Sequence, residues 1–463
     1  MAIVKTKKKN GLRPPKSSRA RKRRLARKQA HLNFEALEPR QLLAAVTVGN
    51  ATDLTNAPDL TSIAALVAND GGDGISLREA ITATNNTTGA GTITFDPSLS
   101  GETIHLSAAG NALQITDSVT IVGDIDGNGT ADITIDADSA AELDDADSSV
   151  VRIFAENTDQ ITLDGLILRD GNSSIANGLG FGGGIQVGGN NGNLTLLNSS
   201  VLNSTATNQG GGIHNPNGTL ILTNSTVSGN STTGIGADGA GIFTNSGNLT
   251  LTNSTVSGNS ITGSGFVNGG GIYNYSGVVT VTNSTISGNS ATGNGADGGG
   301  IFSDGGAVTL TSSTVSGNSA TGGYAYAGGI FTRGGSLTIR NSIISGNSDI
   351  GAAPDVYAIS TPTVEFSLIG DTTGSRITAT TGTGNLLNVD SMLGELANNL
   401  GPTLTHALLW VVRRLMRAIP TRSPVKVACP SSINAAPALI VCKAGALTSG
   451  PLSCNQPKPP VLS

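Results

Sequence analysis

Short runs in which apolar residues alternate with Thr or Ser recur at a fixed interval along the middle of the chain. Leu249, Leu251 and Val256 return as Val279, Val281 and Ile286, then as Val308, Leu310 and Val315, then as Leu337, Ile339 and Ile344. Period-two alternation turns one face of each run inward, as strands do. Each unit also carries a Gly-Ile step, at Ile213, Ile242, Ile272, Ile301 and Ile330, spaced 29, 30, 29 and 29 residues apart. A regular period in this range predicts a solenoid. Gly, Ser, Thr and Asn fill the units and draw the backbone out of helical geometry. A leucine-rich repeat would need a helix or a leucine-dense segment on its convex side, which the units lack. The chain therefore reads as all-β, a single-stranded right-handed parallel β-helix with three short strands per coil and coils about 4.8 Å apart.

In such a stack, equivalent residues form columns. If the Ile column is inside, its neighbours Gln186, His214, Phe243, Tyr273, Phe302 and Phe331 lie on the opposite side of the strand. Aromatic rings repeated once per coil make His214, Phe243, Tyr273, Phe302 and Phe331 the candidate ligand-binding strip, with sugar rings as the matching chemistry. The competing fate of this strip is to be covered by glycine-rich segments such as 291–299. Asn230, Asn259, Asn289, Asn318 and Asn347 repeat in register at Ser-Gly-Asn turns, so their amides are expected to form a structural ladder along the axis. The Asn-Ser-Thr triplets at Asn224, Asn253 and Asn283 fit the glycosylation pattern, but they recur with the coil and read as structure.

Before the regular coils, assigned to 161–409, the pattern predicts a cap over 46–90 and irregular first coils over 91–160. The cap contains one clear helix start: Ser76 followed by Glu79 makes a capping box, and Leu77, Ala80, Ile81 and Thr84 share a face. Laid on the first coil, this helix would cover an exposed strand edge. Within 91–160, Asp124, Asp126, Asn128 and Asp132 follow the D-x-D-x-N-G-x-x-D spacing of a calcium loop, and calcium is the one cofactor the sequence suggests. The twelfth position is Ile135, not the usual bidentate Glu, so a plain polar β-turn competes with calcium binding.

Charge divides the chain into three. Residues 1–40 hold 14 Lys and Arg against 2 acids, residues 41–409 hold 6 against 30, and residues 410–463 hold 7 against none. The body is thus strongly acidic, which disfavours nucleic acid as a partner and favours cations. Cys429, Cys442 and Cys454 all lie in the last segment, so stability of the repeats must come from strand stacking. No run of eighteen apolar residues is present, which excludes a transmembrane helix on length.

Three motifs carry resemblances. Phe34-Glu35-Ala36-Leu37-Glu38-Pro39-Arg40-Gln41-Leu42-Leu43 follows a basic stretch and resembles the LEPR-type N-terminal element of large bacterial surface proteins. The resemblance implies that 1–45 is a disordered targeting segment and that the protein is exported, to the cell envelope, the outer-membrane surface or the exterior. A basic nucleic-acid tail is the competing reading of the same residues. Ile75-Ser76-Leu77-Arg78-Glu79-Ala80 resembles the CSLREA motif that precedes β-helical repeats, with Ile75 where that family has Cys. The coils, through Gly211-Gly212-Ile213 and Val227-Ser228-Gly229-Asn230, resemble polymorphic outer-membrane protein repeats, with Val or Ile in place of Phe.

A fourth resemblance concerns the end of the chain. Gly401-Pro402-Thr403-Leu404-Thr405-His406-Ala407-Leu408-Leu409 resembles a C-terminal element of bacterial repeat proteins that continues G-S-P-A-I-D-A-G and later D-Q-R-G. A one-base shift in a back-translation of Val411 to Ala418 restores the first motif, and the same shift of Ile433-Asn434-Ala435-Ala436 restores the second. Residues 410–463 are therefore expected to be a frameshifted, disordered tail.

Parallel β-helices also host lyases and hydrolases of polysaccharides, which need carboxylates beside an Arg, Lys or His. Asp164, Arg169 and Asp170 fall within one coil and are the candidate catalytic group; a solvated turn is the competing reading. The expectation is a secreted or cell-surface β-helix protein with a structural or adhesive role, an extracellular polysaccharide or envelope component as partner, and no required cofactor. A polysaccharide lyase or glycoside hydrolase is the alternative.

Overall fold

A computed structural model describes residues 44–408, apart from 107–111, 138–148, 155–158, 175–179, 189–191 and 352. The basic N-terminal segment up to residue 43 and the expected frameshifted tail lie outside the described residues. The body is a right-handed parallel β-helix. Its four long sheets pair in parallel and in register from coil to coil. Sheet A has eleven strands, from Ala44–Val48 to Thr363–Glu365, and sheet B has eleven, from Thr103–His105 to Leu386–Leu387. Sheet C has nine, from Leu113–Ile115 to Val356–Ala358, and sheet D runs from Asn172–Ser173 to Ser348–Asp349.

The core follows from the alternation. Leu249, Leu251, Val256 and Ile272 are fully buried, as are their counterparts Val279, Val281, Ile286 and Ile301 one coil on. Each coil cannot bury this face alone, so stability is shared between neighbours. Sheet D is the difference from the three strands expected per coil. Its strands carry few inward apolar residues: Ser260–Thr262 has Ile261 alone, and the longer Ser290–Asp297 has Ala291 and Ala296. These three residues join Ala237, Ala240, Val267, Ala320 and Ala325 in a second, small-residue core.

Two asparagine ladders fix the corners. In the inner one, Asn230 Nδ2 donates to Asn259 Oδ1 at 2.9 Å, Asn259 to Asn289 at 2.8 Å, Asn289 to Asn318 at 2.9 Å and Asn318 to Asn347 at 2.8 Å. Each of these amides also donates to a backbone carbonyl, and the ladder ends on the Asp355 carboxylate at 2.8 Å. The outer ladder contains the glycosylation-like residues. Asn224 donates to Asn198 at 3.1 Å and Asn253 to Asn224 at 3.2 Å, and Asn224, Asn253 and Asn283 sit at φ values of 52°, 51° and 50° in the turn between sheets A and B. Asn tolerates this left-handed conformation better than other side chains.

The N-terminal end is closed by two helices where the sequence predicts one. Helix α1 (Ile63–Ala68) starts at Ser62, whose hydroxyl accepts from Ala65 N, but it lacks an acid three residues later and so leaves a weak signal. Helix α2 (Leu77–Asn85) has the expected capping box, and Leu77, Ala80, Ile81 and Thr84 are all buried. It packs against the first strands of sheets A and C. Ala44 and Ala45 belong to the first strand of sheet A, paired with Gly91 and Thr92, so the cap begins two residues before the predicted boundary.

The C-terminal end departs from the regular coils expected up to residue 409. Beyond Leu386–Leu387 the described chain forms an antiparallel hairpin, Leu393–Ala397 with Thr405–Leu408, that lies along the outside of sheet B. Leu404 O accepts from Thr255 Oγ1 at 2.7 Å, Thr403 Oγ1 donates to Asn253 O at 3.1 Å, and His406 Nε2 bonds Ser287 Oγ at 2.8 Å.

Candidate functional site

The aromatic strip exists, but as a stack and not as a flat platform. Ring centroids of His214, Phe243, Tyr273, Phe302, Phe331 and Tyr357 follow one another at 5.0–5.2 Å with interplanar angles of 5–12°. Phe181 adds a ring at the N-terminal end, 4.7 Å from His214. Parallel strands force this geometry: equivalent side chains one rung apart lie face to face. The ring faces therefore contact each other. Of the two fates read from the sequence, an exposed strip or a covered one, the strip is largely covered: the exposures of His214, Phe243, Phe302 and Phe331 are 8%, 6%, 2% and 5%, and Tyr273 is half-buried. The turns that lead into the strip run close beside it. Gly298 has φ +66°, and a Cβ there would lie 2.9 Å from the Phe302 Cα; Ala327, in the equivalent place one coil on, packs with Phe302 and Phe331.

Titratable groups that sequence reasoning missed flank this stack. On one side, Asp238 accepts from Asn268 N at 3.1 Å and from Asn268 Nδ2 at 3.0 Å, while Asp297 accepts from Tyr326 N at 3.2 Å. Burial pushes the Asp238 carboxyl up to about 7 and that of Asp297 up to about 6. On the other side, Arg333 lies over the Phe302 ring at 5.7 Å and pairs with Asp304 at 3.5 Å. Burial, with Asp238 and Asp304 nearby, pushes the Tyr273 hydroxyl up, and burial holds His214 down at about 4.

The candidate catalytic residues are not gathered as the sequence suggested. Asp164 is on the outside of sheet A, where it accepts from Asn198 Nδ2 at 2.9 Å and where burial raises its pKa. Arg169 is on sheet B and grips Asp136 through Nε and Nη2 at 2.9 and 2.6 Å, with Asp170 at 3.4 Å. His105 and Asp136 are register partners, 3.7 Å apart at Nδ1 and Oδ2. Asp136 was not legible as Arg169's partner because 33 residues separate them; only the coil register makes them neighbours.

The calcium-like loop does converge. Carboxylate oxygens of Asp124, Asp126 and Asp132 lie within 4.8 Å of one another. The loop's own backbone supplies donors: Asp124 accepts from Asn128 N at 3.0 Å and Gly129 N at 2.9 Å, and Asp132 from Ile125 N at 2.8 Å. Asn128 Oδ1 accepts from Thr130 N at 2.7 Å, and its Nδ2 donates to Asp126 at 2.8 Å. Three carboxylates suit a hard cation, and Asn128 is turned toward its own loop.

Exposed aromatic side chains lie elsewhere. On sheet D, Phe266, Gly295 and Tyr324 are register partners on successive coils, and Phe266 and Tyr324 are 71% and 74% exposed. A Cβ on Gly295 would meet the Phe266 ring at 2.4 Å, so the glycine makes room for that ring. Tyr326, 41% exposed, joins this corner to the stack through a tilted contact with Tyr357 at 5.1 Å. No helix among the described residues is long and apolar enough to cross a membrane. No family model, curated protein or solved structure matches this chain.

Proposed function

We propose that the protein is an exported, surface-displayed β-helix scaffold that adheres to polysaccharide. The observation that carries the reading is the exposed pair Phe266 and Tyr324, aligned on one column two rungs apart with a glycine between. Two rungs are about 9.6 Å, a spacing at which both rings can meet one extended glycan. Exposed aromatic faces on a rigid sheet bind at low entropic cost. Tyr326, two residues from Tyr324, touches Tyr357, the last ring of the stacked column. Export rests on the LEPR-type motif and the preceding basic stretch.

Affinity electrophoresis and a glycan panel test the reading. Tyr324→Ser with Phe266→Ser should abolish retention while leaving the circular dichroism spectrum intact. Undiminished retention by the folded double variant refutes it. Enzymatic cleavage is the weaker alternative, because Asp136 and Arg169 are engaged with each other and Asp164 lies on another sheet.

We also propose calcium at Asp124, Asp126 and Asp132, with Asn128 completing the donor set by turning its side-chain oxygen inward. The ion would relieve the mutual repulsion of three carboxylates. A chelator should then lower the melting temperature, and Asp126→Ala should remove that dependence. Superimposable melting curves with and without chelator would reduce the loop to a turn.

A further inference from the structure

Through the middle of the solenoid, the outer face of sheet A carries threonine at both outward positions of its strands. Thr250 and Thr252 pair in register with Thr280 and Thr282, and these with Thr309 and Thr311. Thr223 precedes them beside Ile221, and Thr338 follows beside Arg340. Strand propensity favours threonine on any sheet, yet the other hydroxyl-bearing faces are mixed. Sheet B offers Thr-x-Ser, as in Thr255–Ser257, and sheet D Ser-x-Thr, as in Ser260–Thr262.

The array is open, unengaged and uncharged. Its threonines stay half-exposed, whereas Thr255, Thr285 and Thr314 of sheet B are buried beneath the hairpin. On sheet B, Thr255 Oγ1 donates to Leu404 O at 2.7 Å and Ser287 Oγ bonds His406 Nε2 at 2.8 Å. Among the described residues, the hydroxyls of Thr250, Thr252, Thr280, Thr282, Thr309 and Thr311 have no such partner. Strands Asn193–Leu197, Leu220–Thr223, Leu249–Thr252, Val279–Thr282 and Val308–Thr311 hold no charged residue, although residues 41–409 contain 30 acids. Asp164, before Leu197, and Arg340, after Thr311, mark the two ends of the uncharged face.

The spacing of the hydroxyls follows from the strands. Along the axis they repeat with the rungs, at about 4.8 Å, and across each strand at two residues, about 6.6 Å. Side-chain ladders hold a sheet flat against its ordinary twist, and the outer asparagine ladder begins at the residue after Thr223 and Thr252. Threonine is also stiff at χ1, so each hydroxyl and methyl group is held before any partner arrives. Oxygen atoms on a prism face of hexagonal ice repeat along two perpendicular directions at distances close to these two.

We propose that this face of sheet A binds ice. The rigid hydroxyls hold first-shell water in the arrangement of the crystal surface, and the methyl groups between them give that water no competing partner. Ice is neutral, which suits a face cleared of charge in an acidic body. A second copy of the chain is a poorer occupant, because stable homodimer interfaces are apolar at their centre and only Leu197 and Ile221, at one end, are apolar here. The inference is independent of the glycan reading, which concerns another sheet.

Incorporation of the full chain into a slowly growing ice front, together with thermal hysteresis, tests the proposal. The wild type is expected to enter the ice and to depress its growth temperature. Thr280→Lys with Thr311→Lys should abolish both effects at an unchanged melting temperature. Thr262→Lys, an exposed site on sheet D, should leave both as they are. If the double variant fails to fold, Thr280→Tyr reads the same loss, since tyrosine is at home in a strand but stands above the array. Exclusion of the folded wild type from ice would overturn the proposal, as would full activity in the double variant or an equal loss in Thr262→Lys. A wild-type dimer that the double variant splits, without ice activity, would give the face to a second copy instead.

Discussion

Asn289 shows how a single residue type holds a coil in place. Its Oδ1 accepts from Asn259 N at 3.0 Å and Asn259 Nδ2 at 2.8 Å, and its Nδ2 donates to Val256 O at 3.0 Å and Asn318 Oδ1 at 2.9 Å. All four contacts are buried. Replacing Asn289 by Ala strands the Asn259 donors, and unsatisfied buried groups cost roughly 1–3 kcal/mol each. Asn289→Ala is therefore expected to remove about 3 kcal/mol, read as a lower urea midpoint at unchanged slope. Asn253→Ala, on the outer ladder, loses a partly exposed bond and gains a strained φ, for about 1 kcal/mol. Equal losses at the two positions would show that burial of the ladder is not what matters. The ladder was legible because its period is that of the coil, and so was the capping box, whose two members are three residues apart. The Arg169–Asp136 pair was not, since its meaning depends on which residues the register brings alongside.

At the scale of elements, the same limit explains the hairpin that runs along sheet B. Thr255, Ser257, Thr285, Ser287, Thr314 and Ser316 point away from the core yet are buried, whereas Thr226 and Ser228 one coil earlier are half-exposed. Nothing in the local sequence separates Thr226-Val227-Ser228 from Thr255-Val256-Ser257; the hairpin over the second makes the difference. Sheet D escaped for another reason: a strand with one inward Ile, or with two alanines five residues apart such as Ala291 and Ala296, shows no alternation to detect. The hairpin is held near its centre by His406, which bonds Ser287 Oγ at 2.8 Å and Gly394 O at 2.7 Å. His406→Ala should loosen it without touching the coils. Limited proteolysis should then cut the 398–403 loop faster, with the strand signal in circular dichroism preserved. An unchanged cutting rate would mean that the leucines Leu393 and Leu408, packed on Ile343 and Leu368, hold the hairpin alone.

For the whole molecule, burial of acids sets the response to pH. An acidic solenoid with no cysteine in its repeats has to accommodate carboxylates along its corners, and some become partly dry. Burial pushes Asp238 up to about 7, and Asp297 and Asp355 up to about 6. For each, the unfolded chain gives up its proton near 3.8, before the folded one does. Stability from these groups is thus fully present below about pH 4 and is lost as pH rises through 6 to 7. His214 works in the opposite sense, since burial holds it at about 4 against an ordinary 6.5: its contribution is present above 6.5 and lost as pH falls toward 4. Three carboxyls oppose one imidazole over the same interval, so the melting temperature should fall on going from pH 5 to pH 8. Asp238 dominates this slope and offers a clean substitution. Asn268, its neighbour on the next coil, already shows that an amide fits the column, and Asp238→Asn keeps the Oδ1 that accepts from Asn268. Asp238→Asn should therefore raise the melting temperature at pH 8, leave it nearly unchanged at pH 4 and flatten the profile between. A variant equally stabilised at both ends would place the effect in packing or solubility instead of ionisation.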